Sequence, residues 1–294
     1  MKSWRRNKTR KEVPTISLWG IDEEIIFNAI HFNQLVPENL PQFSPHKKNQ
    51  YVTSFIVKGN LKSFVDFKEH DLSPGYAGLV NPNQIHWIEV KQPQLVEAYI
   101  IAFNKTFLKK LDLNPHTQIL INAAEEHIGI DNGEHSGTIR NLFQTIVEEF
   151  HRENEKPNII IRKLMEALFS KFDQLHANKK PSIKKSTALY LRFLNALEKR
   201  VSETHRVSQY AAYLETSEKS INRACQAVVQ QSAQAVIHQK INYVAKRQLH
   251  FSKKSAKEIA YQTGFNDPVQ FSKFFKHHNN LTPLEYRKRL FSQK

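Results

Sequence analysis

Cysteine, glycine and methionine are scarce in this sequence: its 294 residues include one cysteine, 8 glycines and 2 methionines. A single cysteine cannot form a disulfide within the chain, which fits a reducing cytosol. No apolar run approaches the roughly 20 residues that a membrane-spanning helix needs. Residues 1–11 are basic and lack the apolar core of a signal peptide. We therefore expect a cytoplasmic protein with no membrane partner and a basic, disordered start at residues 1–11.

The sequence also lacks motifs that indicate catalysis. It contains no glycine-rich phosphate loop, no His-Glu-x-x-His helix and no nucleophile-elbow sequence. Cys225 lies within a predicted helix face and not beside a histidine-bearing loop, which argues against a thiol nucleophile. The prediction is a protein without catalytic residues or cofactor.

Acidic residues are few in one part of the chain. The whole sequence has 43 Lys plus Arg and 28 Asp plus Glu, a formal net charge of +15. Residues 181–294 contain 20 basic and 7 acidic residues, a net +13, whereas residues 1–180 contain 23 and 21, a net +2. Because concentrated positive charge attracts polyanions, this pattern favours nucleic-acid binding by the C-terminal part. The alternative is a solvated basic face with no partner.

Residues 255–275 have the signals of two helices joined by a tight turn. Ser255 and Glu258 have the spacing of a capping box, and Gly264 suits a left-handed helix end. Asp267 and Pro268 then open a second helix. Apolar residues at helical spacing face each other across the turn: Ile259, Ala260, Phe265, Phe271 and Phe275. The residues left pointing outward form the predicted reading surface: Val269, Gln270, Ser272 and Lys273.

Two further features extend this helix-turn-helix pattern. Downstream, Thr282, Pro283 and Glu285 repeat the start signals and open a third helix. Upstream, residues 207–225 form a weaker copy, with Ser217 as the cap of its second helix. Its inner face has Ile221 and Cys225, and its outer face has Lys219, Ser220, Asn222 and Arg223. An amphipathic segment, residues 235–251, would connect the copies. We take Lys219 of the first copy as equivalent to Lys273 of the second.

Together these residues resemble the C-terminal signature of the AraC/XylS family of bacterial transcription regulators. The match consists of Ile259-Ala260, Gly264-Phe265, Phe271, Phe275-Lys276, Thr282-Pro283 and Glu285-Tyr286-Arg287. The departures are Asn280 and Gln230, where glycine is usual, and Cys225, where a bulky aromatic is usual. The resemblance implies tandem helix-turn-helix motifs on double-stranded promoter DNA. The predicted contacts are Lys219, Ser220, Asn222, Arg223, Val269, Gln270, Ser272, Lys273, Lys276 and Arg287, of which Arg287 suits a phosphate contact or a structural role.

Residues 12 to about 130 are β-rich. Three segments, 51–57, 61–67 and 96–103, are rich in β-branched and aromatic residues, and residues 58–60 resemble a hairpin turn. Many short strands with tight turns favour a small barrel or jelly roll. The spacing of His46, Gly59, Pro74-Gly75, Asn81-Pro82 and His86 resembles the cupin-type sensor domain of the same family.

A ligand pocket in this barrel is a further hypothesis. Its candidate residues are His46, Phe55, Phe64, Tyr76, His86, Trp87 and Tyr99. Core packing explains the aromatic residues equally well. His46 and His86 lack a third ligand nearby, so we predict no metal site.

Two amphipathic helices are predicted between the halves. Residues 139–150 and 161–175 each have apolar residues at i, i+3, i+4 and i+7 spacing. The resemblance implies that these helices form a dimer interface, so charges at Leu142 and Ile146 should separate a homodimer. The alternative is a helical hairpin that only covers the barrel.

The predicted fold class is therefore α+β with two domains. A cupin-like β-barrel with two C-terminal helices occupies residues 12–177, a linker residues 178–186, and an all-α DNA-binding domain residues 187–294. The predicted function is sequence-specific transcription regulation, controlled by a small molecule or partner at the barrel, with RNA polymerase as a further partner. The alternatives are a cupin-type isomerase or oxygenase with a helical appendage, and an architectural DNA binder that senses nothing.

Overall fold

The computed structural model describes residues 26–32, 45–82, 84–92, 95–122, 128–130, 136–152, 156–176 and 185–292. These residues divide into two compact units, an N-terminal one within residues 13–180 and a C-terminal one within residues 181–294. The predicted disordered start and most of the predicted linker lie outside the described residues. No helix in the described ranges combines the length and apolar character needed to cross a bilayer.

Two antiparallel sheets form the centre of the N-terminal unit. The larger has the order β1-β8-β3-β6-β9, built from Phe27–Phe32, Glu97–Phe103, Tyr51–Lys58, Ala77–Val80 and Ile128–Ile130. The smaller has the order β2-β7-β4-β5, built from His46–Lys47, Ile85–Glu89, Leu61–Val65 and Lys68–Leu72. The β-rich prediction for this part of the chain is confirmed.

The two sheets pack face to face through alternate residues of their strands. Val65 of the small sheet packs with Val52 and Val80 of the large one. Leu61 and Leu72 pack against the same face of the large sheet further along. Because side chains alternate between faces along a strand, the large sheet also has a second apolar face.

That second face is covered by helices. The short helices α1 (Lys105–Leu108) and α2 (Pro115–Asn122) precede α3 (Ser136–Arg152) and α4 (Ile159–His176). The buried residues of α3 and α4 form one core with the sheet: Ile139, Phe143, Ile146, Val147, Phe150, Ile161, Met165, Leu168, Phe169 and Phe172. The predicted amphipathic helices are present, and their apolar stripes face the sheet.

The turn at residues 58–60 is not the predicted hairpin turn, because the strands that it joins, β3 and β4, belong to different sheets. One tight approach explains its glycine. Gly59 has φ +86°, and a Cβ there would lie 2.8 Å from the backbone oxygen of Leu95. A side chain at this position would therefore clash with backbone as well as require the left-handed region.

The C-terminal unit is helical. Its helices are α5 (Lys185–Arg200), α6 (Val207–Tyr213), α7 (Glu218–Val229), α8 (Ala233–Phe251), α9 (Ala256–Gln262), α10 (Pro268–Asn279) and α11 (Pro283–Ser292). Helix pairs α6–α7 and α9–α10 are the two helix-turn-helix motifs, and α8 connects them. The predicted α+β fold with two domains is confirmed, and the precise domain bounds remain predictions.

Candidate nucleic-acid interface

Helices α9 and α10 begin where the sequence signals placed them. The Ser255 hydroxyl accepts a hydrogen bond from the Glu258 backbone N–H at 3.2 Å, and the Glu258 carboxylate accepts one from the Ser255 N–H at 2.7 Å. The Asp267 carboxylate accepts from the Val269 N–H at 2.8 Å, and Pro268 takes the first helical position. These local bonds satisfy backbone donors that a helix start leaves without partners.

The second motif is held by an aromatic core. Ile259, Ala260, Phe271 and Phe275 are buried together with Ala245 and Leu249 of α8. Phe265 in the turn and Tyr286 of α11 pack against this cluster. The apolar residues that were predicted to face inward in this motif do so, and the opposite side of α10 is exposed to solvent.

The first motif has the same plan with a different core. Tyr210 of α6 is fully buried and packs edge-to-face on Phe193 of α5, with ring centroids 5.5 Å apart. Ile221 and Cys225 of α7 are also fully buried. Burial raises the pKa of the Cys225 thiol to about 12, so it stays protonated near neutral pH and is a poor nucleophile.

The second helices of the two motifs, α7 and α10, repeat at an interval of fifty residues. We call them the recognition helices. Their N-caps are Ser217 and Asp267, and both end at a left-handed residue, Gln230 and Asn280. This register makes Arg223 the counterpart of Lys273. The pairing of Lys219 with Lys273 was wrong, because caps and left-handed ends set the register and a match of lysines does not; Lys219 corresponds to Val269.

The register reveals one outer ridge on each recognition helix. In α7 the ridge consists of Lys219, Arg223 and Gln226, and in α10 of Val269, Lys273 and Lys276. All six residues are exposed, and Val269 has 58 % of its surface accessible. Their i, i+4, i+7 spacing puts each trio on one helix face. Gln226 was missed by the sequence analysis, and its equivalence to Lys276 is the signal that finds it.

Other predicted contact residues differ in their surroundings. Gln270 is exposed beside the α10 ridge, whereas Ser220 and Ser272 are half-buried. The Ser220 hydroxyl lies 2.9 Å from that of the helix cap Ser217. Ser220 therefore contributes to the start of α7.

Asn222 and Arg287 make tertiary bonds. Asn222 donates to the Glu218 carbonyl at 3.1 Å and accepts from the Ala233 N–H at 2.9 Å, so its amide joins α7 to the start of α8. Arg287 is half-buried, and its Nε donates to the Leu249 carbonyl at 3.1 Å, which ties α11 to the end of α8. Both side chains are engaged in holding the motifs together.

The left-handed helix ends lead to a stability prediction. Gln230 has φ 56° and ψ 31°, a conformation that costs a non-glycine residue roughly 1–2 kcal/mol. Gln230→Gly removes this cost, although the greater freedom of glycine in the unfolded chain offsets part of the gain. The expected net stabilisation of the C-terminal unit is about 1 kcal/mol. Asn280→Gly should gain less, because asparagine tolerates this region.

Urea unfolding followed by the helical circular dichroism signal checks this prediction. Gln230→Ala is the matched control, since it shortens the side chain but keeps the backbone penalty. A Gln230→Gly midpoint at or below that of Gln230→Ala would contradict the explanation.

The candidate ligand-pocket residues lie on three different faces. His46 and His86 are cross-strand partners with ring centroids 4.2 Å apart, and they share the face of Val65, which points to the large sheet. Tyr76 packs with the apolar cluster between the sheets. The structure therefore brings His46, His86 and Tyr76 to the space between the two sheets.

The other four candidates point elsewhere. Phe64 and Trp87 stack with ring centroids 4.6 Å apart on the opposite face of the small sheet. Phe55 and Tyr99 are partners on the helix-covered face of the large sheet, and the ring of Phe55 packs on Phe143 of α3. These two pairs belong to packing layers and do not share a surface with the histidines.

Lys48 is a buried lysine that the sequence analysis did not predict. It is 3 % exposed, and burial lowers its pKa to about 7. Lysine is normally a surface residue, and no local pattern marks this one as buried. Within the described ranges, no group of three or more His, Cys, Asp or Glu side chains is placed to hold a metal ion.

Comparison with known proteins agrees with this division of the chain. Residues 37–169 match the AraC-like ligand binding domain, and residues 210–289 match a helix-turn-helix domain family. A curated relative, the HTH-type transcriptional activator RhaS of Mannheimia succiniciproducens, is 23% identical over 257 residues, which cover 86% of this chain and 92% of that protein. The chain belongs to the AraC family of transcription regulators. It thus combines an N-terminal ligand-binding domain with a C-terminal DNA-binding domain, and the matches favour this function over a cupin-type enzyme.

The chain also matches solved structures. ToxT from Vibrio cholerae O395 is 16% identical, with 92% of this chain and 95% of that chain covered and a TM-score of 0.41. The C-terminal domain of the response regulator yesN from Fusobacterium nucleatum is 26% identical, with 32% of this chain and 93% of that chain covered and a TM-score of 0.31. At these scores neither structure adds to the family assignment.

Proposed function

We propose that one chain of this AraC-family regulator reads two successive major-groove segments of promoter DNA, one with each recognition helix. The observation that supports this most directly is the repeated exposed ridge, in which Arg223 and Lys273 occupy equivalent positions. Successive major-groove segments on one face of B-DNA lie about 34 Å, or roughly 10 base pairs, apart. The expected footprint of one chain is therefore about two helical turns.

The positive charge of the C-terminal unit also supports DNA binding. Of the net charge of +15, +13 lies in residues 181–294. Contacts to phosphates release bound counterions, so affinity falls as salt concentration rises. Base contacts from the ridges then add the sequence preference.

Residues 181–294 alone are expected to bind the sites that the full chain selects, with a steep loss of affinity as salt is added. The test isolates bound DNA by repeated selection with the full chain and measures footprint length and binding at several salt concentrations. The same fragment with Arg223→Ala and Lys273→Ala serves as the matched control. A folded fragment that does not bind DNA at low salt, or a wild-type footprint of a single turn, would overturn the proposal.

An effector site between the two sheets is the second part of the proposed function. The match to a ligand-binding domain supports a small-molecule effector, and His46, Tyr76 and His86 face that space. Screening small metabolites for thermal stabilisation of the protein, and for a change in its DNA affinity, tests this. His86→Ala should remove both effects and Trp87→Ala, on the opposite face, should not. If no metabolite changes DNA affinity, the architectural alternative is favoured.

Action on transcription completes the proposal. RhaS is named a transcriptional activator, and we infer that this chain also acts in the bacterial cytoplasm, on RNA polymerase at the promoters that it binds. Transcription in vitro with purified polymerase, on a template with a selected site, is expected to change when the protein is added. A bound template whose transcription does not change would contradict a regulatory role at that site.

A homodimer formed through the outer faces of α3 and α4 is proposed as well. Their inner faces are occupied by the sheet, and the outer face of α4 exposes Ile160 and Ala167. These positions are seven residues apart and so lie on one side of the helix.

A further inference from the structure

The loop that precedes α6 touches the turn of the second helix-turn-helix motif. His205 lies in this loop, and its Nε2 is 2.6 Å from the backbone oxygen of Thr263 at the end of α9. The imidazole also packs edge-to-face on Phe265, with ring centroids 4.6 Å apart. The loop that leads into the first motif is therefore bonded to the turn of the second.

Gly264 shows how close this approach is. It has φ +85°, and a Cβ there would lie 2.7 Å from His205 Nε2 and 2.9 Å from the Ser202 carbonyl oxygen. The loop that leads into the first motif and the turn of the second thus meet without room for a side chain on Gly264. The glycine is needed for its conformation and for this contact.

The start of α8 joins the same contact. The side-chain amide of Gln234 donates to the His205 carbonyl at 3.0 Å, and its nitrogen lies 2.7 Å from His238 Nε2. His238 in turn packs on Phe274 of α10, with ring centroids 5.3 Å apart. We call the set of His205, Gln234, His238 and the turn 263–265 the inter-motif junction.

The bond between Gln234 and His238 requires an unprotonated Nε2 on His238, because this nitrogen accepts the amide N–H. Burial lowers the pKa of both His205 and His238, so both rings are neutral near pH 7. Neutral His205 donates through Nε2 to the Thr263 carbonyl, and neutral His238 accepts the Gln234 amide through Nε2. Both of these bonds then form without a charge on either ring.

The junction constrains a motion that α8 alone would permit. Two motifs joined only by a connecting helix change their mutual distance and rotation when the ends of that helix bend or repack. The Asn242–Asn279 amide pair ties α8 to α10, with the shorter of its two bonds at 2.7 Å. The His205–Thr263 bond ties the loop that leads into the first motif to the turn of the second, and therefore opposes rotation of one motif relative to the other.

We propose that His205 is a positioning residue that fixes the distance and rotation between the two recognition helices, and so sets the spacing between the two DNA elements that the protein accepts. This inference rests on the proposed reading of two major-groove segments by one chain. One inserted base pair moves the second element by about 3.4 Å and rotates it by roughly 35°. A rigid junction makes such a change costly, whereas a loose one accommodates it.

The test uses the full chain and a selected site, together with versions that have one base pair added or removed between the two elements. Wild-type protein is expected to lose about ten-fold or more in affinity at either altered spacing. His205→Ala should bind the original spacing within about three-fold of wild type and lose less than about three-fold when the spacing changes. His205→Gln, whose amide can donate to the Thr263 carbonyl, should restore much of the discrimination. Gln239→Ala, at an exposed position of α8, is the control.

The outcomes separate this inference from the proposed function. A wild-type protein that is indifferent to spacing and protects one turn would overturn two-segment reading itself. A folded His205→Ala that keeps the wild-type spacing penalty, or loses affinity equally at all spacings, would overturn the role of His205 alone. If His205→Ala does not fold, Gln234→Ala tests the same junction: a reduced spacing penalty supports the inference, and a penalty as large as that of wild type contradicts it.

Discussion

Replacing Arg223 and Lys273 together by alanine is expected to abolish recognition of selected sites while the C-terminal unit stays folded. Both side chains are exposed, at equivalent positions of the two outer ridges. A good base contact contributes about 1–3 kcal/mol to discrimination. Because the two residues lie in different motifs, their effects should be roughly additive, giving about 2–6 kcal/mol or some 30-fold to 10⁴-fold.

Binding titrations on a selected site and on random DNA of equal length measure this loss. The control is Lys199→Ala with Lys257→Ala, which removes two exposed positive charges from the same unit outside the ridges. The control should weaken both DNAs similarly, since it alters only electrostatic attraction. If the Arg223 and Lys273 variant also loses affinity equally on both DNAs, these residues contact phosphates and do not read bases.

The single variants locate each contact. Arg223→Ala should relax base preference in one half of the selected site, and Lys273→Ala in the other half. Base preference lost in the same half for both would contradict the assignment of one recognition helix to each segment. That result would leave the family membership unaffected, because it rests on independent matches.

The second motif was predictable from sequence because its signals are local. Ser255 with Glu258, and Asp267 with Pro268, act within three residues of each other. Phe271 and Phe275 are large apolar residues at helical spacing, so their burial follows from the pattern. The first motif has weaker signals, since Cys225 takes the place of an aromatic and Tyr210 packs against α5, a helix to which the sequence analysis assigned no role.

Roles that depend on distant partners were not predictable. Asn222 bonds to Ala233, whereas from sequence alone it is a polar residue on the outer face of a helix. The sequence allowed a structural role for Arg287 but did not identify its partner, Leu249. His205 is a stronger example, since it precedes the first motif and its partner Thr263 lies in the second. Such contacts exist only after the helices have packed.

The alternation of side chains along a strand would have separated two of the candidate ligand-pocket residues from sequence alone. His86 and Trp87 are consecutive residues of β7, and consecutive side chains of a strand point to opposite faces. They therefore cannot line the same side of one sheet, whatever the fold. The burial of Lys48, by contrast, has no signal in the local sequence.

Ile146→Asp is expected to unfold the N-terminal unit and not merely to separate a dimer. Ile146 is 0 % exposed, in the core that α3 and α4 form with the large sheet. An unpaired buried carboxylate there would cost about 4 kcal/mol or more, a large part of the 5–15 kcal/mol that stabilises a typical domain. Testing the interface with a charge at Ile146 or at the partly buried Leu142 would therefore confuse loss of fold with loss of contact.

Ala167→Asp tests the interface without placing a charge in the core. Ala167 lies on the exposed face of α4, so its carboxylate remains in water and the fold should be kept. Thermal unfolding and mass in solution are measured for both variants and the wild type. A dimeric wild type with a folded, monomeric Ala167→Asp protein supports the outer-face interface, whereas a monomeric wild type, or a dimer indifferent to Ala167→Asp, argues against it. An Ile146→Asp protein with wild-type thermal stability would contradict the packing of α3 on the sheet, and with it the reason for placing the interface on the outer face.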